Sequence, residues 1–182
     1  MSDMPGRLPG DPSPEAEKAR MIRVDQAGEY GAVRIYEGQL AVLGARASGN
    51  VIRRMAAQEA RHLEKFDRLM TERRVRPTLL SPLWHAAGFA LGAATALIGE
   101  KAAMACTVAV EEVIDEHYAA QADRLEDSDP ELKALIEECR AEEIEHKQEA
   151  EERGAREAVA YPVLTGAIKT GARLAIWLSS RV

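Results

Sequence analysis

Two short strings in this chain carry residue types that bind metals, Glu59-Ala60-Arg61-His62 and Glu143-Ile144-Glu145-His146. On an α-helix, residues three apart share a face with Cβ atoms about 5–6 Å apart, so each Glu and His can point at one ion. A lone Glu-x-x-His is weak without context. The context is Glu29, 30 residues before Glu59, and Glu111, 32 residues before Glu143. Each interval is one helix-to-helix step in an antiparallel pair, so the chain reads as a two-helix unit used twice. Four carboxylates and two imidazoles converging in a bundle core would be prohibitive without cations, because buried unpaired charge is costly. Two divalent ions cancel four carboxylates. An oxygen-rich donor set with some nitrogen suits iron or manganese. A structural zinc site built on thiolates is excluded, since Cys106 and Cys139 are the only cysteines and stand far apart.

One Glu from each of two helices and a Glu-x-x-His from each of two others is the general ligand pattern of ferritin-like di-iron and di-manganese bundles. The spacing assigns Glu29, Glu59 and His62 to one ion and Glu111, Glu143 and His146 to the other; Glu59 and Glu143 are the candidates for bridging, a role that sequence does not fix. A ligating imidazole usually donates its second N–H to a carboxylate or carbonyl. Asp25, one turn before Glu29 on the same face, is the candidate for that contact. Glu112, Glu142 and Glu145 adjoin ligands but point to other faces and should be solvated. Tyr118, two turns beyond Glu111, is placed to act near the metals or to fill core. His117 should point elsewhere, and His85 belongs to a surface or interface.

The elements that must position these residues follow from apolar periodicity. A helix is predicted over 15–45, where Gly28 and Gly31 beside Glu29 suggest close approach of another backbone or a ligand. A turn at Ser48-Gly49-Asn50 returns the chain into a second helix, 51–74, stopped by Pro77. A third bundle helix runs over 101–126, and the fourth opens at Ser128-Asp129-Pro130-Glu131 and ends near Gly154. Residues 77–99 contain no Asp, Glu, Lys or Arg. One membrane crossing there would put Glu59 and His62 about 30 Å of hydrocarbon away from Glu111 and Glu143, which a shared metal centre cannot tolerate. The segment therefore stays on one side, either as a crossover against the bundle or, the favoured reading, as a helix dipping into one leaflet. A last amphipathic helix spans 164–178. Within 161–182, Lys169, Arg173 and Arg181 stand with no acid, which fits either contact with an anionic membrane surface or an ordinary amphipathic helix docked on its own bundle.

The expectation is an all-α, ferritin-like four-helix bundle with a membrane-associated apolar crossover helix and an extra C-terminal amphipathic helix. Residues 1–14 read as a mobile leader and 15–182 as a single di-iron domain. The formal net charge of −6 argues against nucleic-acid binding. The two cysteines read as buried thiols in a reducing compartment. Rival readings of the same ligands are a ferroxidase, a manganese catalase and, from another class, a non-enzymatic membrane adaptor.

The strings Arg23-Val24-Asp25-Gln26-Ala27-Gly28-Glu29-Tyr30-Gly31-Ala32 and Met104-Ala105-Cys106-Thr107-Val108-Ala109-Val110-Glu111-Glu112 are more specific. With Val75-Arg76-Pro77-Thr78 and Gly88-Phe89-Ala90-Leu91-Gly92, they resemble the demethoxyubiquinone hydroxylase family of ubiquinone biosynthesis. The resemblance covers 21–182 and departs at Gln26, where the family can hold His. It implies a peripheral membrane monooxygenase that uses two iron ions and O2 to hydroxylate the ring of a polyprenylated demethoxyubiquinol. It also implies roles for His117 and Tyr118 in electron delivery, with NADH as a possible reductant. Pathway proteins and a second copy of the chain are expected partners. The expected location is the cytoplasmic face of a bacterial membrane, or the matrix side of the mitochondrial inner membrane in a eukaryote.

Overall fold

The computed structural model describes residues 12–182. The leader expected over 1–14 lies outside the described residues up to 11, and its end already belongs to the first helix. Ser13 caps α1 (Pro14–Leu43) by accepting from the Ala16 N–H at 3.1 Å, and Pro14 takes the first helical position, where no N–H is needed. The others are α2 (Gly49–Glu72), α3 (Ser81–Ile98), α4 (Glu100–Leu125), α5 (Pro130–Glu152) and α6 (Tyr161–Ser179), with one 3-10 turn before α6 and no strand among the described residues.

Two antiparallel pairs, α1 with α2 and α4 with α5, surround two apolar layers. One layer joins Tyr36, Leu43, Ile52, Met55, Met104, Val108 and Ala150. The other joins Ile22, Phe66, Leu69, Tyr118, Leu125, Leu132, Ile136 and Cys139. On each of the four helices the predicted metal-binding residues fall between the stretches that feed these layers, so the layers close the polar level from both ends. Asp129 fixes the start of α5. Its carboxylate accepts from the Leu132 N–H at 3.2 Å and pairs with Arg73 at the end of α2, which holds the Asp129 carboxyl below the usual range.

The apolar crossover lies against the bundle. α3 packs along α1 backbone to backbone: a Cβ on Gly92 would stand 1.9 Å from the Ile35 carbonyl oxygen, and one on Gly38 would stand 2.2 Å from that of Phe89. The expected close approach is therefore at Gly38, Gly88 and Gly92. Gly28 and Gly31 have room for a Cβ, but a Cβ on Gly88 would stand 2.9 Å from the Gly31 carbonyl oxygen, and both Gly28 and Gly31 line the cavity described below. Gly99 (φ +147°), a conformation open to glycine, alone separates α3 from α4. No helix among the described residues is long and apolar enough to cross a membrane. The outward side of α3 nevertheless exposes Leu83, Leu97 and Ile98.

α6 docks on α4. Lys169 pairs with Glu112, and Arg173 pairs with Glu116 at 2.9 Å. Of the two readings of this tail, lipid contact and docking on the bundle, the pairs match docking. Both cations are used within the chain because α6 lies over the acidic face of α4. Arg181 stacks on its own Trp177.

Candidate metal centre

Glu29 from α1, Glu59 and His62 from α2, Glu111 from α4, and Glu143 and His146 from α5 meet at one level of the bundle, none of them more than 3% exposed. Their donor atoms form two overlapping groups, each within 4.8 Å: Glu29, Glu59, His62 and Glu143, then Glu59, Glu111, Glu143 and His146. Glu59 and Glu143 belong to both.

Both imidazoles turn Nδ1 inward. His62 Nδ1 is 3.0 Å from Glu143 and 3.5 Å from Glu29; His146 Nδ1 is 3.0 Å from Glu59 and 3.1 Å from Glu143. Yet neither nitrogen of His62, nor Glu59 Oε1, has hydrogen-bond geometry to a neighbour. Buried polar atoms this close but aimed past one another fit donors directed at a common point.

The outer nitrogens meet the opposite helix. His146 Nε2 lies 3.1 Å from Gln58 Oε1, and His62 Nε2 lies 3.3 Å from Glu142 Oε2, while the Gln58 amide donates to Glu142 at 3.0 Å. Glu142, expected to be solvated, stands at an imidazole because the residue before each motif's Glu faces the α2–α5 seam. Asp25, expected at an imidazole of the cluster, instead faces α4. It lies 3.2 Å from His117 Nε2 and accepts from Gln121 at 2.8 Å. His117 is partly exposed. His85 contacts Tyr30 Oη at 2.6 Å on the surface, and Gln26 bonds Asp67.

Two tyrosines bridge the halves reciprocally. Tyr118 of α4 donates to Glu29 of α1, and Tyr36 of α1 donates to Glu111 of α4 at 3.1 Å. The sequence reading missed Tyr36 and Gln58, although for Tyr36 a signal was present. Each half has Tyr seven residues and Gln ten residues after its first Glu: Glu29, Tyr36, Gln39 and Glu111, Tyr118, Gln121.

Burial raises the Glu59 and Glu111 carboxyls well above their ordinary range, and repulsion from Glu143 adds to it. Glu29 is raised by burial despite its hydrogen bonds. Burial also acts on Glu143 and His62, but their mutual contact, with His146 and Glu29, outweighs it, lowering Glu143 and raising His62. Without cations, burial thus favours the neutral form of the Glu29, Glu59 and Glu111 carboxyls, while contact between Glu143 and His62 favours their charged forms. Divalent ions are the natural replacement for those protons.

Beside this level lies an uncharged cavity of about 560 Å³ between α1, α3, α4 and α6. Gly28 and Val110, which line it, are the immediate neighbours of Glu29 and Glu111. Trp84 of α3 donates to Ser179 of α6 at 3.0 Å at its edge.

The family model described as "Ubiquinone biosynthesis protein COQ7" matches residues 16–179. The chain belongs to this family. Among COQ7 relatives, the Rhodospirillum rubrum protein named 3-demethoxyubiquinol 3-hydroxylase is 64% identical over 177 residues, 97% of this chain and 84% of the relative. The human protein named NADPH-dependent 3-demethoxyubiquinone 3-hydroxylase, mitochondrial, is 54% identical over 167 residues, 90% of this chain and 77% of the relative. The Saccharomyces cerevisiae protein named 5-demethoxyubiquinone hydroxylase, mitochondrial, is 44% identical over 180 residues, with coverages of 90% and 77%.

Proposed function

We propose that this chain is an O2-dependent hydroxylase acting on the ring of a polyprenylated demethoxyubiquinol, a late step of ubiquinone biosynthesis. In this reading residues 15–182 form one ferritin-like di-iron domain. The observation that carries the proposal is the meeting of a buried Glu/His cluster with an uncharged cavity whose wall includes the neighbours of Glu29 and Glu111. Family membership supports the same chemistry.

Glu29, Glu59 and His62 would hold one iron and Glu111, Glu143 and His146 the other, with Glu59 and Glu143 shared. Bound iron supplies the activation of O2. The remaining work belongs to the chain. Tyr118 and Tyr36 hold the carboxylates of Glu29 and Glu111 in place by donating to them. Gln58 braces the outer nitrogen of His146, and Glu142 stands 3.3 Å from that of His62. The cavity seats the ring and keeps water from the reacting level. Partly exposed His117, held by Asp25 and Gln121 beside Tyr118, gives reducing equivalents a way in from a nicotinamide, NADH or NADPH.

The isoprenoid tail leaves the cavity toward lipid. Exposed Leu83 on α3, together with Val163, Leu174 and Trp177 on α6, forms the membrane-facing surface of a peripheral protein. That surface sits on the cytoplasmic side of a bacterial membrane, or on the matrix side of the inner membrane in a mitochondrion.

The test is anaerobic loading with Fe(II), followed by O2 and a demethoxyquinol, with products weighed by mass spectrometry. Two irons per chain and a ring heavier by one oxygen atom are expected. An iron-loaded protein that consumes O2 and leaves every quinol unchanged would sink the proposal.

A further inference from the structure

We propose that Cys139 is an oxidation site served by the metal centre itself: when O2 is activated with no ring in the cavity, the Cys139 sulfur takes the oxygen atom. The inference rests on the reading that the cluster holds O2-activating iron, and it goes beyond that reading by naming where the oxidant goes when substrate is missing.

The geometry is specific. Cys139 sits on α5 one turn before Glu143, and its Sγ lies within 4.8 Å of donor atoms of both Glu29 and His62. His62 is fully buried, and neither of its ring nitrogens has a hydrogen-bond partner, so the sulfur stands at a level whose donors are aimed at something other than one another. Cys139 has no exposed surface and packs among Phe66, Tyr118, Leu132 and Ile136. Oxidants in solution have no contact with it. The sulfur also does not line the cavity, so a quinol ring and the thiol approach the cluster from different sides.

The chemistry parallels ring hydroxylation with sulfur as the acceptor. Cys–SH, O2, two electrons and two protons give Cys–SOH and one water. The S–O bond forms as the O–O bond breaks, the second oxygen leaves as water, and the electrons come from the Fe(II) pair or from a two-electron reductant. A second round gives the sulfinic acid.

Cys106 is an internal control. It is equally buried, but it packs with Ala109, Val110 and Ile168 and, among the described residues, belongs to no group of donor atoms.

The experiment exposes iron-loaded, anaerobically reduced protein to ¹⁸O2 without quinol, then digests it and weighs the peptides containing Cys139 and Cys106. Dimedone added at denaturation traps sulfenic acid, and sulfinic acid is read by its label. Oxidation at Cys139 several-fold above Cys106 is expected. Metal-free protein under the same O2 should show none, and a short-tailed demethoxyquinol should divert the label to the ring. Iron-loaded protein that hydroxylates the quinol, yet without quinol leaves Cys139 no more oxidised than Cys106, would overturn this inference and leave the functional reading standing. A protein that neither keeps iron nor hydroxylates the quinol would overturn both.

Discussion

Glu59 shows how far a residue can be read before its neighbours are known. Its place in Glu-x-x-His marks it as a donor, and helical spacing is enough to set it beside His62. Tyr36, Gln58 and Glu142 are different, because each matters through a contact made across the bundle, which single-helix periodicity does not encode. Asp25 was misread for the same reason: its face was right, but it meets α4 instead of an imidazole of the cluster. The upward shift of the buried carboxyls has a measurable consequence. Glu29, Glu59 and Glu111 have carboxyls raised in the fold. In metal-free protein their contribution to stability is fully present below the ordinary carboxylate range and is lost as pH climbs through the raised values. Divalent ions must displace those protons. Titration with Fe(II) or Mn(II) in weakly buffered solution should release protons, and apparent affinity should weaken by at least about tenfold for each pH unit lowered. Binding that is independent of pH would mean that the acids are already ionised.

At the scale of elements, helix boundaries were legible to within a few residues because capping residues announce them. Asp129-Pro130 opens α5, and Ser13-Pro14 opens α1 earlier than periodicity alone suggests. The placement of α3 was not legible. An uncharged segment looks alike whether it faces lipid or a neighbouring helix, and the deciding contacts are glycines spaced to admit a backbone. Two substitutions separate the kinds of glycine. Gly92→Ala puts a methyl group 1.9 Å from the Ile35 carbonyl oxygen, which should cost about 1–3 kcal/mol in thermal or urea unfolding. Gly171→Leu on α6 enters open space inside the cavity. It should leave stability unchanged or raise it by up to about 1 kcal/mol through helix propensity, keep both irons and abolish quinol hydroxylation. Full activity in Gly171→Leu would mean that the ring binds elsewhere.

For the whole molecule, α3 and α6 supply both one side of the cavity, whose other side is α1 and α4, and the exposed apolar side chains proposed to meet lipid. The basic residues of α6 were legible as charge but not as partners, since Glu112 and Glu116 lie more than fifty residues upstream. Changing Lys169 and Arg173 together to Glu should therefore repel α6 from α4 and loosen the cavity wall. Activity on a short-tailed, water-soluble quinol should fall together with activity on a long-tailed one in liposomes. Loss confined to the long-tailed substrate would return these cations to a lipid role.

The likeness between the two halves of the bundle breaks behind the imidazoles. The outer nitrogen of His62 faces the carboxylate of Glu142, and that of His146 faces the neutral amide of Gln58. A carboxylate behind an imidazole makes it the more basic ligand, and such partners govern metal affinity by about 10–100-fold. The two positions in the proposed centre would then be unequal, and filling would be sequential. The His62 position would load first, and protein given one equivalent of Mn(II) would be a single half-filled species with two resolvable binding constants. Glu142→Gln should draw the constants together, turning an ordered loading into a nearly statistical one.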